Sequence, residues 1–255
     1  MPLRPSPDSW IAFRKPNPQA ILRLFCFPYA GGGASIYRTW GQDLPPQVEV
    51  CPVQLPGREN RMREKPIAVM EELIDAMLPA LQPHMDLPFA FFGYSMGAGI
   101  SHALAQRLAR QGRKLPSILL PAARRAPHLP VPDHIHHLPE EEFKQRLREL
   151  NGTPEEALQH QELMDLLSPI LRADFQVNDT YLSKEGPPLD CALSAFGGLE
   201  DPRVNQEAVQ AWKKTARGTF RIRMLKGDHF FLNNSRTELL QAISEDLRRH
   251  LPIVF

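Results

Sequence analysis

The sequence carries almost no net charge: 30 Lys and Arg against 29 Asp and Glu leave a balance of +1 over 255 residues. That balance offers no polybasic footprint for nucleic acid and no acidic tail. Cysteine is sparse. Cys26, Cys51 and Cys191 lie far apart in apolar surroundings, an odd count without metal-site spacing. They exclude a disulfide framework and read as buried thiols. No run reaches the ~18 apolar residues a membrane helix requires, and the start, MPLRPSPDSW, has no apolar signal core. The expectation is a soluble, cytoplasmic monomer with no membrane or nucleic-acid partner. Proline is what the chain has in excess: 26 residues, about 10% and roughly twice average usage. With only 15 glycines and ample Leu, Ile and Val, the composition is not a disordered one, so the prolines read as punctuation.

Residues 1–20 carry Pro2, Pro5, Pro7, Pro16 and Pro18 and predict an extended arm with a short strand at Trp10–Phe13. Apolar runs bounded by turn residues predict strands at Ile21–Phe27, Val48–Leu55, Phe89–Phe92 and Ser117–Leu120. Helices are predicted to begin at Ser35, from Pro66 to Leu81, and from Met96 to Gln111 with Gly112 as the stop. Strand and helix alternate, which implies an α/β fold: a mostly parallel central sheet with helices on both faces. The alternation breaks between Pro127 and Pro188, where Glu140–Leu150, Pro154–Leu167 and Pro169–Leu182 all read as amphipathic helix. That is too much helix for one crossover. Residues 127–186 are therefore expected to be an inserted helical lid, with 1–126 and 187–255 as the core. Strands Leu189–Phe196 and Thr219–Leu225, and helices near Asn205–Thr215 and Ser235–Leu251, complete the pattern.

Gly93-Tyr94-Ser95-Met96-Gly97 is a G-x-S-x-G element directly after a short aromatic strand and directly before a long helix. A serine on such a turn is held above the sheet with the helix N-terminus behind it, as a nucleophile. A hydroxyl is a weak nucleophile at neutral pH and needs a base, which in turn needs an orienting carboxylate. Around this serine turn the chain order is Ser, then Asp or Glu, then His. Of nine histidines, His229 alone lies on a loop between the last strand and the last helix. For the acid, Asp201 leads in the loop Gly197–Pro202, with Glu200 second. Asp190 stands at the wrong end of its strand, and Asp228 adjoins the histidine too closely. Oxyanion donors are expected from the Met96 N–H and from Ala30 or Gly31 in the first glycine loop. That loop is not a dinucleotide fingerprint, because Ile36 replaces the third glycine. No cofactor or metal is expected: His134, His136 and His137 beside Asp133 read as a solvated loop. Arg58, Arg61, Arg63, Arg124 and Arg125 read as solvated surface by default, open to an anionic partner.

Six segments in order, spread through nearly the whole chain, resemble type II thioesterases of polyketide and non-ribosomal peptide assembly lines. They are Phe27–Gly32 (FPYAGG), Val53–Glu59 (VQLPGRE), Gly93–Ala98 (GYSMGA), Arg124–Pro130 (RRAPHLP), Leu171–Phe175 (LRADF) and Gly227–Leu232 (GDHFFL). The resemblance implies an α/β-hydrolase with a helical lid that hydrolyses acyl groups from the phosphopantetheine arm of carrier proteins. It implies Ser95, Asp201 and His229 as triad, with Ala30 and Met96 as oxyanion donors. An acidic carrier-protein partner implies a basic rim, for which Arg124 and Arg125 are the candidates. Tyr29 departs from the family, standing where histidine is common; so does Pro121-Ala122-Ala123, where small polar residues are usual. On the residues alone, a lid-bearing carboxylesterase or lipase stays open, as does a catalytically idle protein that binds a synthase.

Overall fold

Alternate residues of each strand face opposite sides of a sheet, and here the two sides bury different sets. Phe25, Phe27, Phe89 and Phe91 join one core, whereas Leu24, Cys26, Ala90 and Phe92 join the other. The computed structural model describes residues 7–183 and 186–251, so the first residues of the proline-rich arm and residues 184 and 185 of the expected lid lie outside the described residues. Six parallel strands make one sheet: β1 (Leu22–Phe27), β2 (Val48–Pro52), β3 (Phe89–Tyr94), β4 (Ile118–Ala122), β5 (Ala192–Gly198) and β6 (Phe220–Leu225). Their order is β2-β1-β3-β4-β5-β6. Helices α1 (Met70–Leu81) and α2 (Met96–Arg110) cover the phenylalanine-rich face. After α3 (Glu140–Leu150), α4 (Glu155–Gln159) and α5 (Gln161–Thr180), the chain re-enters the sheet and forms α6 (Gln206–Gln210). Two further helices, α7 (Phe231–Asn234) and α8 (Arg236–Arg248), follow β6. Tyr37, Trp40 and α8 cover the second face.

The strand order reverses between β1 and β3, and the crevice beyond the carboxyl ends of strands at such a reversal is where α/β sheets bind ligands. Above it α3, α4 and α5 form a third core of Phe143, Leu147, Leu158, Met164 and Leu171.

Several boundaries differ from the sequence reading. The short strand at Trp10–Phe13 is one antiparallel bridge, Ile11 to Val53, behind a 3₁₀ turn at Pro7–Trp10. The helix expected at Ser35 is two 3₁₀ turns, Ala34–Tyr37 and Trp40–Gln42. Helix α1 starts at Met70 rather than Pro66, because Pro66 packs against Gly57 and Val69 is still extended. The helix break expected before Pro169 falls at His160, and α5 runs through the proline. Proline inside a helix costs about 3 kcal/mol. Met164, Ile170 and Leu171, buried on both sides of it, hold the helix together.

Candidate active site

Ser95 joins β3 to α2 with φ +52, a left-handed conformation that lifts its side chain clear of both elements. Its glycine neighbours leave no choice of residue. A Cβ on Gly93 would lie 2.2 Å from the Gly97 carbonyl oxygen, and one on Gly97 would lie 2.1 Å from that of Phe27. The second contact also shows how closely the end of β1 meets the first turn of α2.

His229 sits between β6 and α7, and its Nε2 lies 3.1 Å from Ser95 Oγ. Its Nδ1 lies 2.7 Å from Asp201 Oδ2. The other Asp201 oxygen accepts the N–H groups of Arg203 at 2.9 Å and Val204 at 3.3 Å, which orients the carboxylate toward the imidazole. The histidine loop is anchored from the elbow itself. Tyr94 Oη donates to the His229 carbonyl at 2.7 Å and accepts from Leu232 N–H at 3.2 Å. Burial lowers the His229 pKa below its ordinary 6.5, although the hydrogen bond to Asp201 pulls the other way. Burial pushes the Asp201 carboxyl up, but the bond to His229 and the backbone donors outweigh it and leave the pKa lowered. At neutral pH the pair is a neutral imidazole beside an ionised carboxylate.

The Met96 N–H opens α2, where no intrahelical acceptor exists. In the glycine loop, Gly31 N–H is taken: it donates to Asp174 Oδ2 at 2.7 Å. Of the two donors left open there, Ala30 is therefore the free one, with no bond to another described residue. Glu59 likewise receives the Ser35 hydroxyl at 2.5 Å, and a Cβ on Gly33 would strike its carboxylate. The Gly31 and Ser35 N–H groups are thus both committed to carboxylates of the chain itself.

A cavity of about 330 Å³ opens at Ser95 and His229, walled by Leu147, Leu171, Phe175 and Phe230. Tyr29, the departure from the family pattern, lines it and packs edge-on to Phe230 at 5.4 Å.

The arginines correct the surface reading. Arg58, Arg61 and Arg124 are all buried. Arg124 donates to the Asn178 side chain and carbonyl and lies over Gly99 of α2, where burial pushes its pKa down to about 10. It forms part of the cavity wall and no part of an exposed basic rim. Half-buried Arg125 donates to the Pro130 carbonyl at 2.8 Å and the Arg203 carbonyl at 3.2 Å. Of the histidine cluster, His134 and His137 are exposed, but His136 turns to Asp179 at 3.2 Å. Tyr94 and Asp174 have no role in the sequence reading, and Arg58 has only that of a surface charge open to an anionic partner. Asp174 had a signal: it falls on the apolar stripe of α5 with Met164 and Leu171, where an acid needs a partner.

The thioesterase domain model matches residues 22–247. The chain belongs to the thioesterase domain family. Within it, linear gramicidin dehydrogenase LgrE of Brevibacillus parabrevis is 44% identical, over 96% of this chain and 95% of that protein. Gramicidin S biosynthesis protein GrsT of Aneurinibacillus migulanus is 42% identical, over 94% of each. Among solved structures, the type II thioesterase BorB from the borrelidin biosynthetic cluster superposes with a TM-score of 0.83 at 36% identity, over 96% of this chain and 98% of that one.

Proposed function

We propose that the chain is an editing type II thioesterase, which frees polyketide or non-ribosomal peptide carrier proteins of acyl groups held on their phosphopantetheine thiols. The observation that carries this reading is the unbroken contact from Ser95 Oγ through His229 to Asp201, at 3.1 and 2.7 Å, beside a cavity that Ser95 and His229 line together with Leu147, Leu171, Phe175 and Phe230. His229 Nε2 takes the serine proton as Oγ attacks the thioester carbonyl, and Asp201 holds the imidazole in the required tautomer. The N–H groups of Ala30 and Met96 receive the oxyanion. Collapse breaks the carbon–sulfur bond, and the departing sulfur takes the proton from His229. A thiol pKa near 8.5 makes that departure easier than loss of an amine. Water, deprotonated by His229, then attacks the acyl-serine and releases the acid.

Residues 127–186 serve as the lid in this reading, with the helical insertion as roof of the acyl chamber. Arg125 stands at the mouth as the contact for an acidic carrier, while Arg124 acts from the wall. Single-turnover hydrolysis across a panel of acyl-carrier proteins, with Ser95→Ala as blank, tests the proposal. Acyl release by the wild type and none by the variant is the expected result. Faster cleavage of the matched oxygen ester would make the chain a carboxylesterase, and unchanged release by Ser95→Ala would remove the triad.

A further inference from the structure

The helical insertion reaches the glycine loop through one buried ion pair. Asp174 on α5 meets Arg58 with both oxygens, Oδ2 to Nη1 at 2.5 Å and Oδ1 to Nη2 at 2.7 Å, and the two side chains are 4% and 7% exposed. The same Oδ2 accepts Gly31 N–H at 2.7 Å, and Arg58 Nη1 donates onward to the Gly32 carbonyl at 3.3 Å. Gly31 has φ +79, and Gly32 N–H donates back to the Tyr29 carbonyl at 2.9 Å. Residues 29–32 are therefore a tight turn with glycine at its third position. The Tyr29 carbonyl and the Ala30 N–H belong to a single planar peptide unit. Holding the turn at Gly31 and Gly32 thus fixes where the Ala30 N–H points. Leu171, one helical turn before Asp174, closes the fit: a Cβ on Gly31 would lie 2.7 Å from its Cδ2.

A stabilising role explains this pair poorly. Replacing a buried ion pair by apolar residues of similar volume is often neutral or favourable, because desolvation offsets the attraction. An apolar pair, however, offers no acceptor to Gly31 and no donor to Gly32. We infer that Asp174 and Arg58 are positioning residues for the oxyanion donor at Ala30, so that the seating of α5 sets how well the tetrahedral intermediate is held. The inference rests on the serine-thioesterase reading above.

The double variant Arg58→Met/Asp174→Leu removes both charges together and leaves neither stranded; Arg58→Lys keeps the charge but loses the fork. With an acyl-N-acetylcysteamine thioester, kcat of the folded double variant is expected to fall about 10- to 100-fold. That is short of the roughly 10²–10³ lost when a donor is removed outright. KM should stay within about threefold, because the ground state does not use the donor. Affinity for an acyl trifluoromethyl ketone, which forms a tetrahedral adduct on serine, should fall with kcat. Affinity for the matching thioether, which has no carbonyl, should not move. Arg58→Lys should lie between wild type and the double variant. Wild-type kcat and ketone affinity in either folded variant would overturn the inference, and so would loss of folding in both, since the pair would then act on stability. If wild type fails to cleave the thioester, or Ser95→Ala cleaves it equally, the underlying reading fails instead.

Discussion

At the scale of the residue, the site depends on close backbone approach and on one proton position. Gly97→Ala would place a methyl group 2.1 Å from the Phe27 carbonyl oxygen, and backbone on both sides leaves no room to yield. It is expected to destabilise by about 1–3 kcal/mol, as overpacking does, and to cut hydrolysis further by parting Ser95 from His229. Thermal denaturation and steady-state rates measure the two effects separately. In the proposed mechanism His229 must be neutral to accept the serine proton, and burial has lowered its pKa below 6.5. Activity should therefore hold through neutral pH and be lost only as pH falls through that lowered value. An acid limb of kcat/KM centred above 6.5 would contradict the burial argument. Asp201→Asn should lower kcat about 10⁴-fold through the wrong tautomer. That Ser95, His229 and Asp201 meet was legible in the sequence because strand, turn and helix signals lie within a few residues of each. The Arg58–Asp174 pair was not, because its partners stand 116 residues apart and each looks like a surface charge when read locally.

At the scale of the element, proline separates what sequence conveys from what packing decides. The prolines read as punctuation, yet Pro52 ends β2, Pro121 lies in β4, Pro79 in α1 and Pro169 in α5. The sheet accommodates Pro121 at a gap. Pro121 lies opposite Gly93 of β3, but the β4–β5 register pairs Leu119 with Leu193 and resumes only at Ala122 with Phe196, so the proline falls where no pairing with β5 is made. Such gaps depend on the partner strand and leave no mark in the local sequence. Pro169 has a testable cost. Pro169→Ala restores the helical N–H and removes the clash with the preceding turn, at the expense of a looser unfolded chain. A net gain of about 1–2 kcal/mol is expected in chemical denaturation, with hydrolysis unchanged because α5 is already continuous through the position. A loss of stability would show that the proline ring packs in a way the helix requires.

At the scale of the whole molecule, a buried histidine outside the proposed triad ties α2 to the segment just after α5. His102 lies on α2, with its Nδ1 2.8 Å from the Tyr181 hydroxyl just after α5 and its ring 5.7 Å from that of Trp212. Burial, with Arg124, His128 and Arg110 adding positive charge around it, lowers its pKa to about 3. The sign of the linkage follows. Below 6.5 the unfolded chain binds a proton at this site and the folded chain does not, so stability falls as pH falls, until the folded value near 3 is reached. One such group contributes about 1.4 kcal/mol for each pH unit well below the unfolded value. His102→Gln keeps a polar partner for Tyr181 but cannot take up the proton. Urea denaturation at pH 7, 6, 5 and 4 should show wild-type stability falling more steeply than that of the variant. Some slope should remain in the variant, because His229 is held neutral by the same burial. Hydrolysis at neutral pH should be unchanged, since His102 does not line the cavity at Ser95 and His229. Parallel slopes in the two proteins would mean that water or a shift of Tyr181 relieves the buried ring. Divergent slopes would make the junction between α2 and the insertion the acid-sensitive seam of the molecule.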